Sequence, residues 1–408
     1  LVPEIAASVA AVDEGMRLGY SWRWGPFELI DKLGVDWFVE QLEAQGDAVP
    51  PLLDMARGRS FYREDQGRLE CLSPDGEYAP VARSAGVLRL DDVKRLGPRV
   101  DGNGSASLWD LGDGVLCLEF HTKMNSIDPG IMAMIGRAIS LVTKRYKALV
   151  IHNDAENFSV GANVGLLLFA ANMAAYEQID AMVAQGQQVY KALKYAPFPV
   201  VGAPHGMALG GGCEILMHCD AVQAHAETYL GLVEVGVGIV PGWGGCKELL
   251  TRWMQLEARP SGPMPAIAKA FEFISTAVVG KSAAQARDML YLRETDAITM
   301  NRDRLLADAK QRALSMVEGY EPPEPVTLNL PGPSAREAMA LAVEGFLKLG
   351  HISQHDAQVA DLLGRVLSGG DTDMLDEVSE QQLYDLERQA LVDLARTGPT
   401  LARVEHML

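Results

Sequence analysis

The chain has 408 residues, 48% of them hydrophobic, and a formal net charge of −18. Its length exceeds what one ordinary core holds and predicts two or three domains. The acidic balance argues against nucleic acid or an anionic lipid surface as a partner. No run of ~18 apolar residues is available for membrane insertion.

Residues 1 to about 60 read as helical, with Ile5, Val9, Val12 and Met16 at helical apolar spacing. The Trp-rich turn Ser21-Trp22-Arg23-Trp24-Gly25-Pro26 interrupts that pattern, and Phe27 to Leu33 restarts it. Residues 67–105 are rich in Gly, Pro, Asp and Arg and read as a linker. From 106 the texture changes. Ser107–Trp109 and Val115–Phe120 flank Gly112-Asp113-Gly114, a hairpin signal. A helix over 129–143, a buried strand over 147–152 and a long helix over 165–193 follow. Next come a strand over 199–203, a glycine-led helix through Cys219, and strands over 220–224 and 228–232. Alternating short strands and helices predict an α/β architecture for residues 106–320. Residues after about 263 read as mostly helical, and the Pro-rich stretch 321–333 sets off an amphipathic helical extension over 334–408.

Five cysteines, Cys71, Cys117, Cys213, Cys219 and Cys246, are scattered and odd in number, which suits a reducing cytoplasm better than a disulfide framework. Cys213, His218 and Cys219 match no zinc spacing, so no metal is expected. The N-terminus lacks the order of a signal peptide, and the first residue is Leu1, which reads as a fragment or processed product.

Three segments carry candidate chemistry. In Pro204-His205-Gly206-Met207-Ala208-Leu209-Gly210-Gly211-Gly212-Cys213-Glu214, three glycines before a helix allow close backbone approach to a ligand. Free N–H groups there suit a phosphate or a developing oxyanion. Taken alone, a glycine-packed turn explains the segment equally well. The second segment, Leu230 to Gly245, holds Glu234 in an apolar run, where a carboxyl group gains the raised pKa a general acid needs. A solvent-facing Glu at a strand end is the plainer alternative. The third, Asn157-Phe158-Ser159-Val160-Gly161-Ala162-Asn163-Val164, follows a buried strand and could supply a second N–H donor. His205 would suit nucleophilic catalysis, but a His at a tight turn is more often structural.

In this order the segments resemble the enoyl-CoA hydratase/isomerase (crotonase) family over about residues 106–300. His121-Thr122-Lys123-Met124-Asn125-Ser126 and Gly280-Lys281-Ser282-Ala283-Ala284-Gln285-Ala286 add to the likeness. The resemblance implies a crotonase-like spiral of ββα units, with all-α segments flanking it at both ends. It implies an oxyanion hole from the amides of Ala162 and Gly211, an acid/base pair of Glu214 and Glu234, and Gly242 beside the reacting water. Gly161, Asn163, Val164 and Gly210 would line the substrate path. The family often has Asp at Asn163 and Lys at Gly165, so Lys123 becomes a candidate for contacting the coenzyme A phosphates. The expected reaction is hydration of a trans-2-enoyl-CoA, with coenzyme A part of the substrate and no further cofactor. Isomerisation, thioester hydrolysis and non-catalytic acyl-CoA binding are alternatives. Trimers or pairs of trimers are implied as the homo-oligomer.

Asp13-Glu14-Gly15-Met16 and Gly25-Pro26-Phe27-Glu28-Leu29-Ile30-Asp31 resemble the C-terminal helical domain of 3-hydroxyacyl-CoA dehydrogenases, placed over residues 1–66. No G-x-G-x-x-G follows a strand. NAD is therefore expected only in a missing upstream domain, and no dehydrogenase activity is expected from this chain.

Overall fold

Seven strands form the main sheet of the larger unit in a computed structural model, which describes residues 2–408. In chain order they are Asp101–Gly102 (β1), Ala106–Asp110 (β2), Val115–Phe120 (β3), Ala148–Ile151 (β4), Val200–Gly202 (β5), Ala221–His225 (β6) and Ala297–Thr299 (β7). Their order across the sheet is the chain order, from β1 at one edge to β7 at the other. The first three pair antiparallel and the rest parallel. Every residue of β3 and β4 is buried; β4 reads as an unbroken apolar run, and β3 is apolar except for Glu119, which accepts from the Trp109 ring nitrogen at 2.9 Å. The hairpin between β2 and β3 turns at Gly112, Asp113 and Gly114, all with positive φ, where the sequence predicts it.

Successive turns of the chain stack on one another beside this sheet. Ile127 bridges to Ala162, Ser159 to Ala208, Leu209 pairs with Gly231, and Leu230 bridges to Gly280. This layering makes the spiral. It places the loops after β4 and β5 next to each other, although about 50 residues separate them. Helices Pro129–Arg145, Tyr176–Lys194 and Gly245–Gln255 flank the stack. The long helix expected over 165–193 is two helices, Val164–Asn172 and Tyr176–Lys194, broken where Ala174 takes a left-handed conformation.

The C-terminal extension folds into the same unit as the sheet. It contains helices Pro333–Lys348, Gln354–Leu367, Glu380–Ala395 and Gly398–Met407, and a short antiparallel pairing of Thr327–Asn329 with Glu377–Ser379. Helix Glu380–Ala395 docks through a buried ionic cluster. Lys247 is fully buried and held by Glu248 and Glu380, and Lys194 pairs with Glu248. Lys247 and Glu248 belong to helix Gly245–Gln255 and Glu380 to the extension, so one enclosed cation ties the two together.

The smaller unit comprises residues 1–98 and 301–304. Helices Val9–Tyr20, Pro26–Leu33, Val35–Gln45 and Pro51–Met55 match the expected helical texture. Ile5, read as part of the first apolar face, is exposed, and Asp13 is buried on that face. Asp13 accepts hydrogen bonds from the amides of Phe27 and Glu28 (2.8 and 3.1 Å) and from the Tyr62 hydroxyl (2.7 Å), so it caps the next helix. The stretch read as a linker is ordered structure. Tyr62–Asp65, Arg68–Leu72 and Tyr78–Pro80 form an antiparallel sheet, and Leu90–Leu96 is a helix. Buried Phe61, Cys71 and Leu72 anchor that sheet on the helices, so this flank is not all-α.

Among the described residues no helix is long and apolar enough to cross a membrane. Replacing Lys247 by Met removes the enclosed cation between Glu248 and Glu380 and leaves Lys194 as their remaining counter-charge. Chemical denaturation is expected to show a loss of about 3–5 kcal/mol, as for other broken buried pairs.

Candidate active site

A cavity of about 920 Å³ opens in the larger unit, walled by the stacked loops on one side and by the C-terminal helices on the other. Gly161, Ala162, Asn163, Val164, Gly210, Gly211, Glu214, Glu234 and Gly242 all line it. Lys123 does not. It is exposed on the turn Lys123–Asn125, whose Met124 carbonyl accepts from the amide of Val160, a residue of the cavity wall.

The loop after β4 and the loop after β5 bring two backbone amides together. A Cβ on Gly161 would lie 3.1 Å from the Gly211 nitrogen, and one on Gly211 would lie 3.3 Å from the Ala162 nitrogen. The flanking amides are used structurally: Asn163 donates to Ile127 and Gly210 to Gly231. The amides of Ala162 and Gly211 have no acceptor among the described hydrogen bonds. Gly210 makes this possible. Its φ of 53° and ψ of −126° suit only glycine, and a side chain there would collide with Glu234. The Gly211 carbonyl is fixed from behind by the Tyr190 hydroxyl at 2.9 Å. Asn163 caps the next helix, accepting from the Gly165 amide at 3.2 Å.

Glu214 lies on the short helix Gly211–Met217 and is 2% exposed. Its Oε1 accepts hydrogen bonds from the amides of Trp243 and Gly245 at 2.8 and 2.9 Å. Burial pushes its pKa up to about 7, and the two amides oppose that rise. Glu234 begins the turn Glu234–Val237. The residue as a whole is partly exposed, yet its Oε2 is enclosed and has no hydrogen-bond partner among the described residues. Enclosure of the carboxyl tip, and then repulsion from Glu214, hold its pKa well above the usual carboxylate range. Both carboxyl groups are thus held above the usual carboxylate range, and their proton affinities depend on one another.

The rest of the wall is apolar, with Ile127, Met132, Leu167, Ile179, Val183 and Leu391 among its residues. Sequence reasoning missed Trp243, whose amide serves Glu214 and whose ring contacts Tyr190 edge-on at 5.5 Å. It also missed Arg403, His406 and Met407, which reach the cavity from the last helix. His205 is buried, with Nε2 2.6 Å from the Asn153 carbonyl, and holds a turn. His218 has its pKa lowered to about 3 by burial, so it is neutral. Its Nδ1 donates to the Glu214 carbonyl (2.7 Å) and its Nε2 accepts from the Tyr384 hydroxyl (2.8 Å).

Together the spiral and the amide pair beside two buried carboxyl groups define a crotonase-like fold. The structure of an enoyl-CoA hydratase from Bacillus halodurans superposes with a TM-score of 0.51 at 17% identity, over 74% of this chain and 100% of that one. At the sequence level, residues 111–256 match the profile described as Enoyl-CoA hydratase/isomerase. Residues 1–57 match that of the 3-hydroxyacyl-CoA dehydrogenase C-terminal domain. The chain is 38% identical over 413 residues to a probable 3-hydroxyacyl-CoA dehydrogenase of Bacillus subtilis, covering 100% of this chain and 52% of that protein. It is 25% identical over 411 residues to a putative fatty acid oxidation complex trifunctional enzyme of Rickettsia prowazekii, covering 99% and 50%. The chain therefore spans about half the length of these curated relatives.

Because the folded pKa of Glu214 lies above its unfolded value, ionising it costs stability. That cost is absent below the unfolded pKa, grows as pH rises through the interval up to about 7, and levels off above it. The expected result is that Glu214→Gln melts progressively higher than the parent between pH 5 and 8. The difference should reach on the order of 3 kcal/mol in calorimetry.

Proposed function

We propose that this chain hydrates the 2,3 double bond of trans-2-enoyl-CoA thioesters. The observation that carries this reading is the pair of enclosed carboxyl groups of raised proton affinity, Glu214 and Glu234, beside the amides of Ala162 and Gly211 in one apolar cavity. The amides donate to the thioester oxygen and stabilise negative charge as it develops there. Ionised Glu214 takes a proton from water as its oxygen attacks C3. Protonated Glu234 delivers its proton to C2. Gly242, in the turn that also presents the Trp243 and Gly245 amides, borders the water position. The apolar wall receives the acyl chain.

The matches over both parts of the chain support a place in fatty-acid β-oxidation. Hydration yields a 3-hydroxyacyl thioester, the kind of alcohol a dehydrogenase oxidises, so consecutive steps on one longer polypeptide form part of the proposal. Dehydrogenation itself is assigned to an NAD-binding unit outside this chain. Assembly with further copies belongs to the same reading, supported by exposed Phe169 and Met173.

Loss of crotonyl-CoA ultraviolet absorbance tests the proposal. The chain is expected to hydrate the substrate, and Glu214→Gln and Glu234→Gln are each expected to be slower by ~100-fold or more. The rate of the parent should rise with pH as Glu214 ionises near 7 and fall at higher pH as Glu234 loses its proton. No hydration with crotonyl or longer enoyl thioesters overturns the reading. Conversion of 3-enoyl thioesters without hydration would assign isomerisation instead, and release of free thiol would assign hydrolysis.

A further inference from the structure

The turn Trp243–Lys247 is gripped by two carboxylates from opposite sides. Glu214 takes the amides of Trp243 and Gly245. Glu387, from helix Glu380–Ala395 of the C-terminal extension, takes the amides of Gly244 and Lys247, both at 2.7 Å. The two residues thus share four of five consecutive amides, interleaved along one turn. Glu387 has no solvent exposure, and neither of its oxygens is spent on a side chain among the described hydrogen bonds. Lys247 turns its ammonium away, to Glu248 and Glu380.

The turn has little freedom otherwise. Gly244 sits at φ 104°, and a Cβ there would meet the Tyr384 ring at 2.7 Å and His218 at 2.8 Å. Gln187 donates to the Gly242 carbonyl at 2.8 Å and to the Tyr384 carbonyl at 2.8 Å, bracing the turn and the extension together.

We propose that Glu387 is a positioning residue for Glu214. By fixing the amides of Gly244 and Lys247, it aims the neighbouring amides of Trp243 and Gly245 at the Glu214 carboxylate, so the C-terminal extension belongs to the proton-transfer apparatus. This rests on the site reading above only for its kinetic consequence; the effect on the proton affinity of Glu214 does not depend on it. Burial raises the pKa of Glu387 as well, with repulsion from Glu214 the next cause. The titratable groups facing Glu214 are Glu234, Tyr190, Cys213, Cys246 and Glu387.

Glu387→Asp in the full chain tests this, because it keeps a carboxyl group and withdraws it by one methylene. In crotonyl-CoA hydration, kcat is expected to fall about tenfold with KM within about twofold. Introducing Glu387→Asp into Glu214→Gln should cause no further loss, because both act through one group. Leu394→Ala, a buried change on the same helix, should lower stability and leave kcat of the folded protein unchanged. Carboxyl carbon-13 nuclear magnetic resonance, with Glu214→Gln as the blank, should show the Glu214 pKa rising by about half a unit or more in Glu387→Asp. Should Glu387→Asp fail to fold, Glu387→Gln is carried through the same kinetic cycle with the same expectation. Additive losses, an equal kcat loss in Leu394→Ala, or an unmoved Glu214 titration each overturn the proposal. If the parent does not hydrate enoyl thioesters, the hydratase reading fails and the titration alone decides the role of Glu387.

Discussion

Carboxyl groups enclosed by apolar walls must be paid for in hydrogen bonds or in protons, and this constraint governs the larger unit. Glu214 and Glu387 are met by amides of one turn, whereas Oε2 of Glu234 is met by nothing among the described residues. Burial raises the proton affinity of all three, and amides oppose that rise at Glu214 and Glu387. Glycines at 244 and 245 fit the same close packing, because a Cβ on Gly244 would meet the Tyr384 ring and His218, and one on Gly245 would lie 3.0 Å from Glu214 Oε1.

The fold serves this arrangement by stacking rather than by sequence proximity. The bridge from Ser159 to Ala208 and the pairing of Leu209 with Gly231 stack three loops, so the amides of Ala162 and Gly211 share one side of the cavity with Glu234. The sheet contributes rigidity: β3 and β4 are wholly buried, and the site loops leave the ends of β4 and β5. Structurally, the extension over 334–408 is a wall of that cavity as much as a covering of the core.

Much of this was legible in sequence because it rests on local chemistry. A Gly-Gly-Gly run before a helix, a Glu in an apolar run and alternating short strands each leave a mark within ten residues. The parts that escaped are those set by distant contacts. The break at Ala174 lies in a stretch that is apolar on all sides, which gives periodicity nothing to read. The sheet over 62–80 is held by a few buried residues within polar sequence and so looked like a linker. Glu387 did leave a trace. It lies on the stripe of Leu383, Tyr384, Leu391 and Leu394, where a charged residue conflicts with the helix pattern and asks for a partner.

The last helix, Gly398–Met407, supplies Arg403, His406 and Met407 to the cavity wall, while the opposite wall is built from residues between 127 and 243. During synthesis the amino-terminal part emerges first. The stacked loops can therefore assemble some 150 residues ahead of this helix, but the chamber stays open along one side until the helix docks. A nascent chain thus presents an apolar trough rather than an enclosed cavity, and the interval before that docking is when this unit is most exposed to chaperones and to aggregation.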